Sequence, residues 1–116
     1  MRKRSSSSVR VSYPRWTREM LVEALRARLP ALARALPLTR VVLFGSYARG
    51  RHTAASDVDL LVVYADPPRA DAYAVVRKAL GLPRLEPHVY SEAEYRAVQA
   101  TVDRMTRGGV TLLGDP

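Results

Sequence analysis

Two aspartates separated by a single residue, Asp57 and Asp59, are the side chains best suited to chemistry in this sequence. They stand at the start of an apolar run, Val58 to Tyr64, which predicts a β-strand. Alternate side chains of a strand point to the same face, so both carboxylates would project together while Val58 turns into the core. Such a pair is costly to desolvate unless a cation lies between the two charges. A hard, oxygen-seeking ion such as Mg²⁺ meets that need.

A second segment, Gly45-Ser46, follows another short apolar strand, Val41 to Phe44. Gly45 permits a tight turn and a close approach of the backbone. Ser46 and the YARG that follows it predict the start of a short helix, whose free N–H groups suit a phosphate. A phosphate cradle on one strand and a carboxylate pair on its neighbour together predict a metal–nucleotide site.

These two segments also carry a family resemblance. Gly45-Ser46, ten intervening residues and then Asp57-Val58-Asp59 resemble the signature of the polymerase-beta-like nucleotidyltransferases. The surrounding FGSYARG and SDVDLLV are similar to the minimal nucleotidyltransferases, which are often encoded beside a HEPN-family toxin. The resemblance implies an α/β (α+β) fold, a single domain with a mixed β-sheet flanked by helices, in which the carboxylate strand is central.

The resemblance implies catalysis with two Mg²⁺ ions, which in such sites lie about 3.5–4 Å apart. Asp57 and Asp59 would be metal ligands, joined by a third carboxylate from a neighbouring strand. Glu86, in LEPHVYS, is the candidate, although aspartate is common there, and Pro87 predicts that this strand is an edge strand or bulged. His88 shares a face with Glu86 and is either a metal neighbour, a base or a hydrogen-bonded structural histidine.

The predicted nucleotide-binding residues are Gly45, Ser46 and Arg49. Ser46 would offer its hydroxyl and N–H to the β- or γ-phosphate. Arg49, and less directly Arg51, would assist, because a guanidinium suits bidentate phosphate binding. Both arginines are equally compatible with helix-surface charges.

The activity implied is transfer of a nucleoside monophosphate, AMP from ATP, to a hydroxyl acceptor such as a tyrosine of a HEPN-family partner. A partner or a second copy would complete the site. A different class of function also fits, namely an antitoxin or scaffold that neutralises its partner by contact without catalysis. A third alternative is an RNA-associated protein that uses its basic leader.

Bulk composition indicates the general class of protein. A chain of 116 residues with 47% hydrophobic and 26% charged residues predicts one globular domain. It has no cysteine, which excludes disulfides and thiol chemistry and favours a cytoplasmic location. No apolar run is long enough for a membrane span.

The charge is unevenly distributed. Of the net charge of +8, residues 1–16 contribute +5 without any acidic residue. We therefore predict a basic, flexible leader over residues 1–16 and a mildly basic nucleotidyltransferase domain over 17–116. The leader could bind nucleic acid, but a solvated leader is the favoured interpretation.

The remaining elements follow from periodicity and capping signals. In the first half, we predict an edge strand from Val9 to Tyr13 and then a helix after Thr17, which has a leucine face, a hydrophobic staple between Trp16 and Leu21, and a kink or a division into two helices at Pro30. In the second half, we predict a helix from Asp66-Pro67 to Gly81 with Tyr73, Val76 and Leu80 facing inward, followed by a strand from Arg84 to Tyr90. The last two elements are a helix with the capping box Ser91/Glu94, whose inward residues are Tyr95, Val98, Val102 and Met105, and a strand from Val110 to Leu113.

Overall fold

In the computed structural model, the described residues are 16–53 and 55–114. The elements in chain order are α1 Arg18–Ala35, β1 Leu38–Phe44, β2 Val58–Tyr64, α2 Ala72–Leu80, β3 Leu85–Ser91, α3 Glu92–Met105 and β4 Val110–Leu113. The predicted strand at 9–13 and most of the leader lie outside the described residues, and the leader boundary stays a prediction. Among the described residues, no helix combines the length and the apolarity needed to cross a bilayer.

The four strands form one mixed sheet in the order β3-β2-β1-β4. β1 pairs antiparallel with β2 and with β4, whereas β2 and β3 run parallel. The prediction that the carboxylate strand is central is confirmed, because β2 lies between β1 and β3. β3 is an edge strand, as Pro87 predicted, and Pro87 stays in register opposite Leu60 without a bulge.

Helices cover both faces of β2. Its residues Val58, Leu60 and Val62 belong to the larger core, which α1 and α2 close. Leu61 and Val63 belong to a smaller core on the other face, which α3 closes through Val102. The near-continuous apolar run of β2 is therefore explained by burial on both faces.

α1 is capped and buried as its sequence predicts. The Thr17 hydroxyl accepts a hydrogen bond from the Met20 N–H at 3.0 Å, and Trp16 packs against the core that contains Leu21. The helix continues through Pro30 as one element, so the alternative of two abutting helices is wrong. Pro30 lies on the exposed face, while leucines before and after it are buried in the same core.

The predicted start of α2 at Asp66-Pro67 is wrong, because the helix begins at Ala72. The Asp66 carboxylate instead accepts a hydrogen bond from the Ala93 N–H at 3.2 Å, so it caps the first turn of α3. The end of α2 is as predicted. Gly81 takes the left-handed conformation and its N–H donates to Arg77 O.

The buried face of α2 is as predicted at Val76 and Leu80 and differs at Tyr73. Ala72, Val76 and Leu80 are buried at four-residue spacing. Tyr73 was predicted to face inward, but 48% of it is exposed. Because its neighbour Ala72 takes the inward position at the first turn, Tyr73 is turned outward.

The capping box of α3 is confirmed, since the Ser91 hydroxyl accepts from the Glu94 N–H and Glu94 accepts from the Ser91 N–H. Val98 and Met105 were predicted to face inward and are exposed. The backbone at Val98 is not helical, with φ −122° and ψ 15°, so the helical register is interrupted between Tyr95 and Val102. These two residues pack on the smaller core.

Candidate active site

The predicted site residues come together at one end of the sheet. β1 and β2 are antiparallel neighbours, so the end of β1 at Phe44 lies opposite Asp59 near the start of β2. In the parallel β2–β3 pair, Asp59 lies opposite Glu86. The turn that follows Gly45, the aspartate pair and Glu86 therefore meet on three adjacent strands.

Gly45 is required by both conformation and space. Its φ of +79° is in the region that disfavours residues with a side chain. A Cβ atom at this position would overlap Asp59 Oδ2 and would lie 3.1 Å from the Asp59 Cγ. The backbone of the turn thus passes directly against the carboxylate.

The segment after Gly45 is a succession of turns over residues 46–50, so the predicted short helix is wrong. The Arg49 N–H donates to Gly45 O at 3.1 Å, and the Arg51 N–H donates to Ser46 O at 2.9 Å. Gly50 has a φ of +72°, which ends the helical path after a single turn. The Ser46 N–H lies at the start of the turn, in the position of the first N–H groups of a helix. It is not a donor in either of these two hydrogen bonds.

Neighbouring side chains hold this turn in place. Tyr47 is buried in the larger core, and the His52 ring stacks on it with 4.1 Å between centroids and 11° between planes. The Arg18 guanidinium, at the start of α1, donates to Ala48 O at 3.1 Å. Arg49 is exposed at the same turn, and its contact with a nucleotide stays a prediction.

The two aspartates differ in environment, although both flank the buried Val58. The side chain of Asp57 is 54% exposed and that of Asp59 is 30% exposed. Burial is the main cause that raises the pKa of Asp59; His88 opposes this shift, and the charges of Asp57 and Glu86 add to it. The charges of the neighbouring carboxylates therefore contribute, after burial, to the raised pKa of Asp59.

His88 is the immediate neighbour of Asp59. Its Nε2 lies 3.8 Å from Asp59 Oδ1, and its ring packs on Phe44 with centroids 5.1 Å apart. His88 lies on the neighbouring strand β3, opposite Leu61 and therefore two residues further along the β2–β3 pair than Asp59. His88 therefore lies beside the predicted carboxylate site, and its role as a metal neighbour, a base or a hydrogen-bonded structural histidine stays a prediction.

Arg84 is a site residue that sequence reasoning missed. Its guanidinium donates to Ala55 O and to Ser56 O, the latter at 3.3 Å, and Nη2 lies 3.5 Å from Asp57 Oδ1. The sequence offers no local signal for this contact, because Arg84 is 27 residues from Asp57 and is brought there by the parallel pairing of β3 with β2.

The donor set suits a hard cation in its chemistry. Asp57, Asp59 and Glu86 offer only carboxylate oxygens, and the pKa of Asp59 is raised mainly by burial and then by the charges of the other two carboxylates. In the described part of the chain, no three acidic, histidine or cysteine side chains are gathered closely enough to hold a metal ion. The three carboxylates therefore fit Mg²⁺ by type but are not gathered around one point, and Arg84 lies beside Asp57 while His88 lies beside Asp59.

Solved structures share this fold. A structure from Sulfolobus solfataricus, provisionally classed as a nucleotidyltransferase, has a TM-score of 0.54 and 20% identity over 81% of this chain and 80% of its own. A toxin–antitoxin structure with AMP-PNP has a TM-score of 0.57 and 22% sequence identity. A mutant of the toxin–antitoxin MntA-HpeT has a TM-score of 0.54 and 19% sequence identity. Each of these two covers 78% of this chain and 73% of the matched one.

No curated protein matches the sequence significantly. The family model described as "Nucleotidyltransferase domain" matches residues 19–106, which include the Gly45 turn, both aspartates and Glu86. This match spans most of the chain and all four of the residues that meet at the end of the sheet. The chain therefore belongs to the nucleotidyltransferase domain family.

Proposed function

We propose that this protein transfers AMP from ATP to a hydroxyl group of a protein partner, in a reaction that depends on Mg²⁺. The observation that carries the proposal is the close packing of the Gly45 turn against the Asp59 carboxylate. With this contact, N–H groups of the turn would bind a phosphate beside carboxylate oxygens that would bind the metal, as transfer of a nucleotidyl group requires.

Asp57, Asp59 and Glu86 would hold the metal, which in such sites neutralises phosphate charge and lowers the pKa of the attacking hydroxyl. Two ions held by these carboxylates are part of the proposal. The Ser46 N–H and hydroxyl would bind the β- or γ-phosphate, and the exposed Arg49 would add charge. These contacts would hold the triphosphate in line with the acceptor oxygen.

The chemical step is a substitution at the α-phosphorus. The acceptor oxygen forms a bond to this phosphorus while the bond to the pyrophosphate oxygen breaks. The hydroxyl proton leaves to a base, and pyrophosphate departs with the electrons of the broken bond. No covalent bond to the protein is needed, so the residues named above act by position and charge.

A protein acceptor is favoured by two observations. The sequence resembles minimal nucleotidyltransferases encoded beside HEPN-family toxins, and two similar structures are described as toxin–antitoxin structures, one of them with AMP-PNP. We infer that a HEPN-family partner, and within it a tyrosine, is the acceptor. A homodimer in which a second copy completes the site is the alternative arrangement.

A second candidate function is neutralisation of the partner by contact alone. It is favoured by the absence, in the described ranges 16–53 and 55–114, of a three-ligand metal cluster, and by the Arg84 guanidinium that lies beside Asp57. In that case the carboxylates would be remnants of a metal site.

The experiment that separates the two incubates the purified protein with each α-labelled NTP and Mg²⁺, with and without the product of the adjacent gene. Asp57→Ala tests the site, and Asp71→Ala, which removes an exposed aspartate paired with Arg69, is the matched control. Label transferred by wild type and by the control, but not by Asp57→Ala, would support the enzyme. Partner silencing that persists in Asp57→Ala without any labelling would establish the contact mechanism.

A further inference from the structure

We propose that Arg84 is a positioning residue that fixes the direction of Asp57 for metal binding. The inference rests on the proposed function and deepens it, because it names a residue that prepares the site without contacting substrate. Three observations carry it, namely the contacts of the Arg84 side chain, the contact of its backbone and its backbone conformation.

The first observation is that one guanidinium contacts three consecutive residues. It donates to the carbonyl oxygens of Ala55 and Ser56 and lies 3.5 Å from the carboxylate of Asp57. These residues are the last part of the loop before β2. A guanidinium is planar and presents its donors as a fork, so it can hold two carbonyls and a carboxylate at once.

The second observation concerns the residue on the other side of Asp57. The Val58 N–H donates to the backbone oxygen of Arg84 at 2.8 Å. Arg84 therefore holds the chain both immediately before and immediately after Asp57. The paired register of β1 with β2 ends at Phe44 and Asp59, and that of β2 with β3 begins at Val58. Asp57 lies outside both registers, so the strand pairing does not fix it.

The third observation is strain in the backbone. Arg84 has a φ of +59°, and among the described residues it is the only one other than glycine with a positive φ. Glycine would adopt this conformation without a steric penalty. An arginine here is unfavourable for the backbone, and the contacts of its guanidinium with the aspartate loop offset that cost.

The test compares Arg84→Gln, Arg84→Lys and Arg84→Gly with wild type by calorimetric titration of Mn²⁺ in the presence of a non-hydrolysable ATP analogue. We expect each variant to lose about tenfold in metal affinity, the lower end of what residues that orient metal ligands contribute. Lysine keeps the charge but not the fork, so it should not restore the affinity. Glycine relieves the backbone strain, so Arg84→Gly should unfold at the same temperature as wild type or above it.

The control is Arg69→Gln. The Arg69 guanidinium also bridges a backbone carbonyl, that of Ala35, and a carboxylate, that of Asp71, but it does so away from the aspartate pair. The metal affinity of Arg69→Gln should equal that of wild type. A second readout needs no metal, since amide hydrogen exchange across residues 55–58 should be faster in Arg84→Gln and Arg84→Gly than in the control.

The outcomes are distinguishable. Metal affinity equal to or above that of wild type in Arg84→Gln and Arg84→Gly would overturn the inference. Arg84 would then either have no effect on metal binding or compete with the metal for Asp57. Unchanged hydrogen exchange at residues 55–58 would also overturn it. If wild type binds Mn²⁺ more tightly than the variants but transfers no label, the inference stands and the proposed function fails. Wild type that binds no metal would overturn both.

Discussion

Gly45 and Asp59 are in contact across the β1–β2 pair, and the carboxylate of Asp59 occupies the space that a side chain at residue 45 would need. The two residues are 14 positions apart in the sequence, and each belongs to a different half of the predicted site. Their contact means that the turn predicted to bind phosphate and the carboxylate predicted to bind metal cannot move independently.

Substitution of Gly45 by alanine should therefore damage the site as well as the fold. Gly50 is a matched control, because its φ of +72° is close to the +79° of Gly45 but a Cβ there would meet nothing within 4 Å. Gly50→Ala should lower the free energy of unfolding by about 1 kcal/mol, the cost of a left-handed residue with a side chain. Gly45→Ala should cost about 1–3 kcal/mol more, because it adds overpacking against Asp59.

Urea unfolding measures both costs, and label transfer measures activity. Gly45→Ala should lose transfer even at temperatures at which it is fully folded, whereas Gly50→Ala should retain it. Equal stabilities of the two variants would show that the contact with Asp59 imposes no constraint.

Asp59→Asn should stabilise the protein without metal while it strongly slows transfer. The pKa of Asp59 is raised, chiefly by burial. A raised pKa means that the stability contribution is fully present below the unfolded pKa and is lost as pH rises through the folded pKa. In EDTA at pH 7 the variant should therefore melt above wild type, and the difference should shrink as pH falls towards 4.

The same variant should lose about 100-fold or more in transfer rate, the scale of loss when a group that stabilises transition-state charge is removed. Thermal melts from pH 4 to 8 in EDTA, with activity measured in Mg²⁺, test both statements. A variant that melts below wild type at pH 7 would contradict the assignment of Asp59 as a partly buried carboxylate with a raised pKa.

Glu86→Gln tests the third carboxylate. Glu86 lies opposite Asp59 in the β2–β3 register and adds to the rise in its pKa. We expect transfer to fall about 100-fold, as for loss of a charge-stabilising group, with little change in stability because Glu86 is exposed. Glu23→Gln, on the exposed face of α1, is the control. Retained activity in Glu86→Gln would place the third ligand elsewhere.

Tyr95→Phe should change stability and leave activity intact. The Tyr95 hydroxyl donates to the Asp103 carboxylate, and burial, followed by this hydrogen bond, raises the pKa of Tyr95. Loss of the bond should cost about 1 kcal/mol. The stability it provides is present below the usual tyrosine pKa of about 10 and is lost as pH rises through the folded value.

Urea unfolding at pH 8 and at pH 11 measures this effect. The difference between wild type and Tyr95→Phe should be largest at pH 8 and smaller at pH 11. The outcome that would contradict the prediction is a difference that grows with pH.

The sheet could be predicted from the sequence because its signals are local. The apolar run of β2 marked the strand from Val58 to Tyr64 with the bounds observed, and the Ser91/Glu94 box marked the start of α3. The aspartate pair and Gly45 could be placed together because their strands are consecutive and short.

The errors arose where tertiary contacts decide. Asp66 resembled a cap of the next helix, but its carboxylate caps α3, 27 residues later. Val98 fitted the helical period of α3, but the backbone departs from the helix at that residue. Arg84 could not be predicted, since its role depends on a parallel pairing and on a backbone conformation that arginine rarely adopts.

The pairing of β4 with β1 has a consequence for synthesis of the chain. β1 leads into the Gly45 turn, and its outer neighbour, residues 110–113, is made last among the described elements. A nascent chain that ends before Val110 exposes the edge of β1 to other strands. All the other described elements are therefore synthesised before that edge is protected, and a truncation before β4 should favour aggregation over release of a folded but inactive protein.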